Sequence, residues 1–181
     1  EARQRRRLEQ TLQQVSQVSQ VAREPLLADP LTGLLSRRGL ERRLSNALAR
    51  GAAQPAAEPS QPELLLQLRI TPPLPVALTP EQLERIASAF EQLSATHQGL
   101  AAHGGGGHFS LLLRGLGCDG VPALIDALAL QLQPLEVVAG VSVVPPKADG
   151  PARLEALVAA DQALEQALAS GSAWQLAGPV V

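Results

Sequence analysis

Aromatic residues are scarce in this sequence of 181 residues, which has no tyrosine, one tryptophan and two phenylalanines. The core must therefore be built from aliphatic side chains, and a hydrophobic share of 45% is high enough for one. So few rings leave little surface on which bases could stack, and we therefore expect no nucleic-acid partner.

Cysteine and long apolar runs are also missing. Cys118 stands alone, which excludes an internal disulfide and a cysteine-based zinc site. No apolar stretch reaches the ~20 residues needed to span a bilayer, and the first residues hold neither a methionine nor the apolar core of a signal peptide. We expect a piece of a longer protein, without a membrane span of its own, in the cytoplasm or on the cytoplasmic side of a membrane anchor.

The charge is small overall but unevenly placed. The net charge of −2 divides into +5 for residues 1–50 and −7 for residues 51–181, which suggests two units with different roles. A basic run near the start could face nucleic acid or anionic lipid, but we favour a solvated helix face because charge alone is unspecific. The run consists of Arg3, Arg5, Arg6 and Arg7.

Residues 1–28 predict a signalling helix that pairs with a partner helix. Apolar residues recur there at alternating spacings of four and three, which is the heptad pattern of a coiled coil. We favour a parallel homodimer through this segment over an amphipathic helix folded onto its own domain. The residues of the predicted dimer seam are Leu8, Leu12, Val15 and Ala22.

The rest of the chain alternates between predicted helices and strands, which favours a sheet with helices packed on it. Asp29-Pro30-Leu31-Thr32-Gly33 predicts a turn, and the Pro- and Ala-rich residues 51–62 predict a flexible loop. Ser36 and Thr79 are the expected N-caps of the first two helices. The predicted helices are 36–49, 80–95, 121–132 and 151–169, and the predicted strands are 64–70, 99–102, 108–114, 137–144 and 173–176.

Four motifs occur in an order that resembles GGDEF domains, the diguanylate cyclase family. DPLTGLLSRRGL at 29–40 is similar to the opening DPLTGLPNRR motif of that family. The hairpin sequence Gly105-Gly106-Gly107-His108-Phe109 stands where the family has its GGDEF signature. VVAGVSVV at 137–144 and AADQALEQALASG at 159–171 resemble a strand of type VSIGVA and the closing helix.

The resemblance implies an α/β fold over residues 29–181. Its expected form is a central five-stranded, mostly antiparallel sheet flanked by helices, as in nucleotide cyclases, with the coiled-coil helix in front. Active members of the family join two GTP molecules into cyclic di-GMP, and their carboxylates hold two Mg²⁺ ions.

Acidic residues are missing from the positions that this chemistry needs. Gly107 and His108 occupy the places of the signature's Asp and Glu, and residues 68–71 occupy the region of the first-strand metal acid. Mg²⁺ prefers hard oxygen ligands, and none of these residues is a carboxylate. We therefore expect no metal, no cofactor and no catalytic residue. Both signature positions lie in a predicted exposed turn, where substitution should be tolerated.

Nucleotide contacts are missing by the same resemblance. The family's guanine-binding Asn and Asp have no counterpart in residues 70–80, and its phosphate-binding Lys and Arg fall on Leu168 and Trp174. Its inhibitory RxxD motif falls on residues 96–99, which contain neither Arg nor an acid, so no inhibitory site is expected.

The hairpin leaves alternatives open. A phosphate could approach the bare backbone of residues 104–107, although we favour a simple tight turn. His103 and His108, if paired across the hairpin, could grip Zn²⁺, but no third ligand is apparent. We favour His103 as a partner for Asp29, because the resemblance places there an Arg that pairs with the Asp of the turn.

We expect a catalytically inactive regulatory domain of cyclic di-GMP signalling that dimerises or relays a signal within a larger protein. An EAL domain or another signalling protein is the expected partner. The alternatives are a GTP-binding pseudoenzyme that acts as a sensor and an active diguanylate cyclase.

Overall fold

The computed structural model describes residues 27–46 and 62–178. The predicted coiled-coil helix, with its seam of Leu8, Leu12, Val15 and Ala22, lies outside the described residues. So does the predicted loop 51–62, apart from its last residue.

The described residues contain six strands, four α-helices and a short 3-10 helix at Cys118–Gly120. The strands are β1 (Leu35–Ser36), β2 (Glu63–Thr71), β3 (Leu100–Gly105), β4 (His108–Arg114), β5 (Glu136–Val144) and β6 (Trp174–Leu176). The helices are α1 (Arg37–Ser45), α2 (Pro80–Thr96), α3 (Val121–Gln131) and α4 (Gly150–Ser170).

The strands form one sheet in the order β1-β3-β4-β2-β5-β6. The three inner pairings are antiparallel and the two edge pairings are parallel, which confirms the expected fold class. The sheet has six strands rather than five, because Leu35 and Ser36 pair with Ala102 and His103 at one edge. Two residues are too few to show an alternating pattern in the sequence, so this strand has no sequence signal.

Local capping explains where the helices begin. The Ser36 hydroxyl accepts a hydrogen bond from the Gly39 amide at 3.0 Å, and Thr79 forms a capping box with Gln82 at the start of α2. Both predicted N-caps are therefore confirmed. Helix α1 ends at Ser45, earlier than the predicted residue 49, and the amide of Asn46 makes its last helical hydrogen bond, to the Arg42 carbonyl.

Helices cover both faces of the sheet. Alternate residues of β2 point to opposite faces, so that Leu64 and Leu66 pack in the cluster with α2 and α3, whereas Leu65 packs in the cluster with α1 and α4. The first cluster contains an edge-to-face contact between Phe90 and Phe109, whose ring centroids lie 5.2 Å apart. Within the described residues, no helix combines the length and the hydrophobicity needed to cross a membrane.

Candidate functional site at the glycine hairpin

The hairpin between β3 and β4 is tighter than the sequence predicts. Strand β3 continues to Gly105, and only residues 106 and 107 form the turn. Gly105 and Gly106 have φ angles of 100° and 54°, a backbone conformation that side chains with a Cβ rarely adopt. Glycine at these two positions is therefore explained by the turn itself.

The two histidines of the hairpin are not paired. His103 stands opposite Phe109, in the same register as the ladder from Leu100 onward, and an irregularity between His103 and Gly105 places His108 opposite Gly105. His103 is buried, whereas His108 is exposed. The alternative of a zinc site across the hairpin is therefore wrong, and the described residues contain no group of three metal-ligating side chains.

Asp29 organises the turn at residues 29–33. One oxygen of its carboxylate, Oδ2, accepts hydrogen bonds from the backbone amide and the hydroxyl of Thr32 at 2.9 and 2.7 Å. The backbone closes the turn through a bond from the Gly33 amide to the Asp29 carbonyl at 2.8 Å. This Asp therefore acts as the predicted turn residue.

His103 ties this turn to the hairpin. Its Nδ1 lies 2.8 Å from the same Oδ2 of Asp29, and its Nε2 lies 2.8 Å from the Gly106 carbonyl oxygen. The imidazole also stacks on Phe109, with ring centroids 4.5 Å apart. The predicted contact between His103 and Asp29 is confirmed.

The contacts of Asp29 favour its charged form. Burial by itself raises the pKa of this carboxyl, but the hydrogen bonds from Thr32 and the contact with His103 outweigh burial and lower the pKa below its ordinary value. Asp29 is therefore ionised at neutral pH.

A cleft of about 380 Å³ opens between the hairpin tip, the end of β2 and the turn at 29–33. Most of its wall is apolar, and its polar side chains include Arg69 and His108, which stand directly opposite each other on β2 and β4. The residues that line it include no carboxylate. They are Leu31, Arg69, Ile70, Thr71, Pro72, Val76, Ala77, Leu78, Leu83, His103, Gly106, Gly107 and His108.

Gly107 is locked against β2. Its carbonyl accepts a hydrogen bond from the Ile70 amide at 2.8 Å. A Cβ added at Gly107 would lie 2.1 Å from the Ile70 carbonyl oxygen, a separation that requires the backbone to move. The expectation that substitution is tolerated here is therefore wrong, because the sequence does not show that another strand approaches the turn.

The remaining positions named by the resemblance lie apart from the cleft's lining. Leu168 is 36% exposed near the end of α4, and Trp174 is partly buried against the core at the start of β6. Residues 96–99 form the end of α2 and the connection to β3. None of these side chains is a carboxylate, a lysine or an arginine.

A buried polar pair on β2 and β4 has only a weak signal in the sequence. Ser110 donates its hydroxyl to Oε1 of Gln67 at 2.6 Å, on the strand pair that also carries Arg69 and His108. The Nε2 of Gln67 is buried without a hydrogen-bond partner in the described part of the chain. The signal for this pair is a single Gln inside the apolar run at 64–70.

The solved structures that are similar to this chain agree on its fold. No family model matches the chain, and no curated protein matches it. The coiled coil and GGDEF domain of DgcB from Caulobacter crescentus, in complex with c-di-GMP, is 17% identical with a TM-score of 0.58, and 97% of each chain is covered. A microbial GGDEF domain, solved in a study of its interaction with cyclic di-GMP, is 25% identical with a TM-score of 0.59, over 83% of this chain and 95% of that one.

A third solved structure is the S helix-GGDEF-EAL portion of LapD from Vibrio cholerae, bound to c-di-GMP. It is 13% identical with a TM-score of 0.58, over 91% of this chain and 40% of that one. The chain therefore has the fold of GGDEF domains.

Proposed function

We propose that this chain is a catalytically inactive GGDEF-type domain that acts in cyclic di-GMP signalling as a dimerisation or signal-relay module of a larger protein. The observation that carries the proposal is the composition of the cleft, whose lining contains one arginine, two histidines and no carboxylate. A pair of Mg²⁺ ions needs several oxygen ligands, carboxylates above all, and these residues do not fit them.

The close approach of Gly107 to β2 supports the same conclusion. An acidic side chain at this position would need a different path of the backbone, because its Cβ would lie 2.1 Å from the Ile70 carbonyl oxygen. The backbone of this hairpin therefore leaves no room for an acidic side chain at position 107.

The packing of the domain supports a role as a module rather than as a decayed remnant. Both faces of the sheet are covered, and the turn at 29–33 keeps its bonds to Thr32 and His103. The described part of the chain is thus a folded domain, as a relay module needs to be, and its cleft is lined by no carboxylate.

The expected partners are a second copy of the chain, through residues 1–28, and an EAL domain or another signalling protein. The LapD neighbour supports an EAL partner, since its GGDEF and EAL domains belong to one chain. We place the domain in the cytoplasm.

Turnover of GTP tests the proposal directly. We expect no cyclic di-GMP from the purified chain with GTP and either Mg²⁺ or Mn²⁺, measured by chromatography against a control without protein. Product above that control would contradict the proposal. We expect the same absence for the double variant Gly107→Asp, His108→Glu, because positioned substrate and a complete metal site are both required.

A GTP-binding sensor without turnover is the second candidate. The bare backbone of residues 106 and 107 lines the cleft and favours it, since a phosphate can approach glycine closely. Calorimetric titration with GTP, with and without Mg²⁺, separates the two candidates. Saturable binding without product would favour the sensor.

Dimerisation is tested on the predicted seam. Leu12→Asp would place a charge between the two helices, and light scattering should then show a monomer. Gln10→Asp is the matched control, because it adds the same charge on the opposite side of the predicted helix. A wild type that is monomeric, or a Leu12→Asp variant that stays dimeric, would contradict the coiled-coil prediction.

A further inference from the structure

His103 is buried between two oxygen atoms that both accept hydrogen bonds. Its side chain is 1% exposed, and its two ring nitrogens each lie 2.8 Å from an oxygen, one on the Asp29 carboxylate and one on the Gly106 carbonyl. A neutral imidazole carries one N–H and one lone pair, so it can donate to only one of them. Both contacts are hydrogen bonds only when the ring is an imidazolium.

We propose that the His103 imidazolium is a proton-dependent latch that joins the turn at 29–33 to the tip of the hairpin. When the ring loses a proton, the remaining N–H stays with the charged Asp29, because hydrogen bonds to charged acceptors are the stronger ones. The lone pair on Nε2 then faces the Gly106 carbonyl oxygen, and the hairpin tip is released.

Histidine gives this position a property that the arginine of the resemblance lacks. A guanidinium stays charged at every pH at which proteins are folded, whereas imidazole gains and loses its proton near physiological pH. The latch therefore goes beyond the proposed function by adding a regulatory input. It connects the turn that follows residues 1–28 with a cleft that His103 and Gly106 both line.

Some groups near the His103 ring favour its protonated form, and others oppose it. Asp29 faces it from the turn and favours the second proton, as does the stacked ring of Phe109, since cations are attracted to aromatic faces. Arg69 on β2 lines the same cleft and opposes a further positive charge, and His108 on β4 lines this cleft as well. On β1, Ser36 stands opposite His103 and carries no charge.

The sign of the pH dependence follows from the protonated form being the bonded one. Because both oxygens receive a hydrogen bond only from the doubly protonated ring, we expect the latch to be closed at low pH and to open as the pH rises. We expect the hairpin tip to loosen in the same pH range.

The test uses the full chain, whose three histidines are at positions 97, 103 and 108. Nuclear magnetic resonance of the imidazole nitrogens, assigned with His97→Gln and His108→Gln, reports whether His103 carries both protons. Protection of the Ile70 amide against hydrogen exchange reports on the hairpin, because this amide donates to the Gly107 carbonyl. Both are measured between pH 5.5 and 8.5.

We expect His103 to be doubly protonated at pH 5.5 and the protection factor of the Ile70 amide to fall at least threefold as the ring loses a proton. His97→Gln and His108→Gln should show the same fall. In His103→Arg, the protection factor of the Ile70 amide should stay high at every pH. In His103→Gln, it should be low at every pH.

Two results would overturn the latch. One is a neutral His103 ring at pH 5.5, and the other is a pH dependence of Ile70 protection that His103→Arg leaves as large as in the wild type. Neither result depends on His103→Gln being stable enough to fold, and neither involves cyclic di-GMP. The latch and the proposed function therefore succeed or fail separately.

Discussion

Two segments that line the same cleft are built in different ways. The turn at 29–33 is held by a carboxylate that receives three contacts, from Thr32 twice and from His103 once. The loop at 72–78 follows β2 on another side of the cleft. In the described part of the chain it has one backbone hydrogen bond of its own, from the Val76 amide to the Leu74 carbonyl at 2.7 Å.

The difference also shows in the side chains. Leu74 and Val76 are 67% and 62% exposed, although both are large and apolar. The side chain of Asp29, by contrast, is only 15% exposed. Buried polar contacts are costly to break, and exposed side chains without partners cost little to replace. The fold should therefore depend strongly on the turn and hardly at all on the loop.

The largest loss of stability is expected for Asp29→Ala. This change leaves the buried His103 ring without its charged partner, and removing one member of a buried pair typically costs about 3 kcal/mol. Urea unfolding measures the loss, with Leu74→Ala in the loop as the control, which should stay within about 0.5 kcal/mol of the wild type. If Asp29→Ala and Leu74→Ala lower the free energy of unfolding equally, the fold does not depend more strongly on the turn than on the loop.

A smaller loss is expected for Gly107→Ala at the hairpin tip. The added Cβ meets the Ile70 carbonyl oxygen, and forcing an extra methyl into a packed position costs about 2 kcal/mol. Gly104→Ala is the matched control, because its Cβ would have nothing closer than 3.6 Å. If both variants are as stable as the wild type, β2 does not approach the hairpin as closely as described.

Lowering the pH should reduce the difference in the free energy of unfolding between the wild type and Asp29→Asn. The pKa of Asp29 is lowered in the folded chain, so its carboxylate contributes stability above the ordinary value of 3.8, and this contribution is lost as the pH falls through the folded pKa. The stability difference between the two proteins at pH 6 should therefore be larger than the difference at pH 3, by urea unfolding. A constant difference would show that the charge of Asp29 does not matter.

The smallest effect is expected for the loop itself. The double variant Leu74→Ser, Val76→Ser replaces two exposed side chains and should change the free energy of unfolding by less than about 0.5 kcal/mol. Thermal unfolding followed by circular dichroism is sufficient to check this. A loss above 1 kcal/mol would mean that the loop packs more firmly than its exposure indicates.

Most elements of the fold are predictable from the sequence. The capping residues Ser36 and Thr79 place two helix starts correctly, and the apolar run at 64–70 matches a strand that spans Glu63–Thr71. These signals are local, so each can be recognised without knowing what the segment packs against. Strand β1 escapes prediction because its two residues become a strand only by pairing with β3.

The candidate site is predictable only in part. The contact between Asp29 and His103 follows from the resemblance to GGDEF domains, and the structure contains it at 2.8 Å. The pairing of His103 with His108 does not occur, because the register that pairs Leu100 with Leu112 places His103 opposite Phe109. A shift of the register by one residue changes the cross-strand partner of every side chain in the ladder, and no local pattern in the sequence specifies this register.

The sequence by itself determined the alternation of helices and strands, the capped helix starts and the lack of acids at the positions that the resemblance names. Each of these depends on residue type and on short spacings along the chain. Only the tertiary structure decided that Gly107 lies against Ile70 and that His103 lies between Asp29 and Gly106. These contacts join residues from separate elements, and their distances depend on sheet register and turn geometry, which no local pattern of residues specifies.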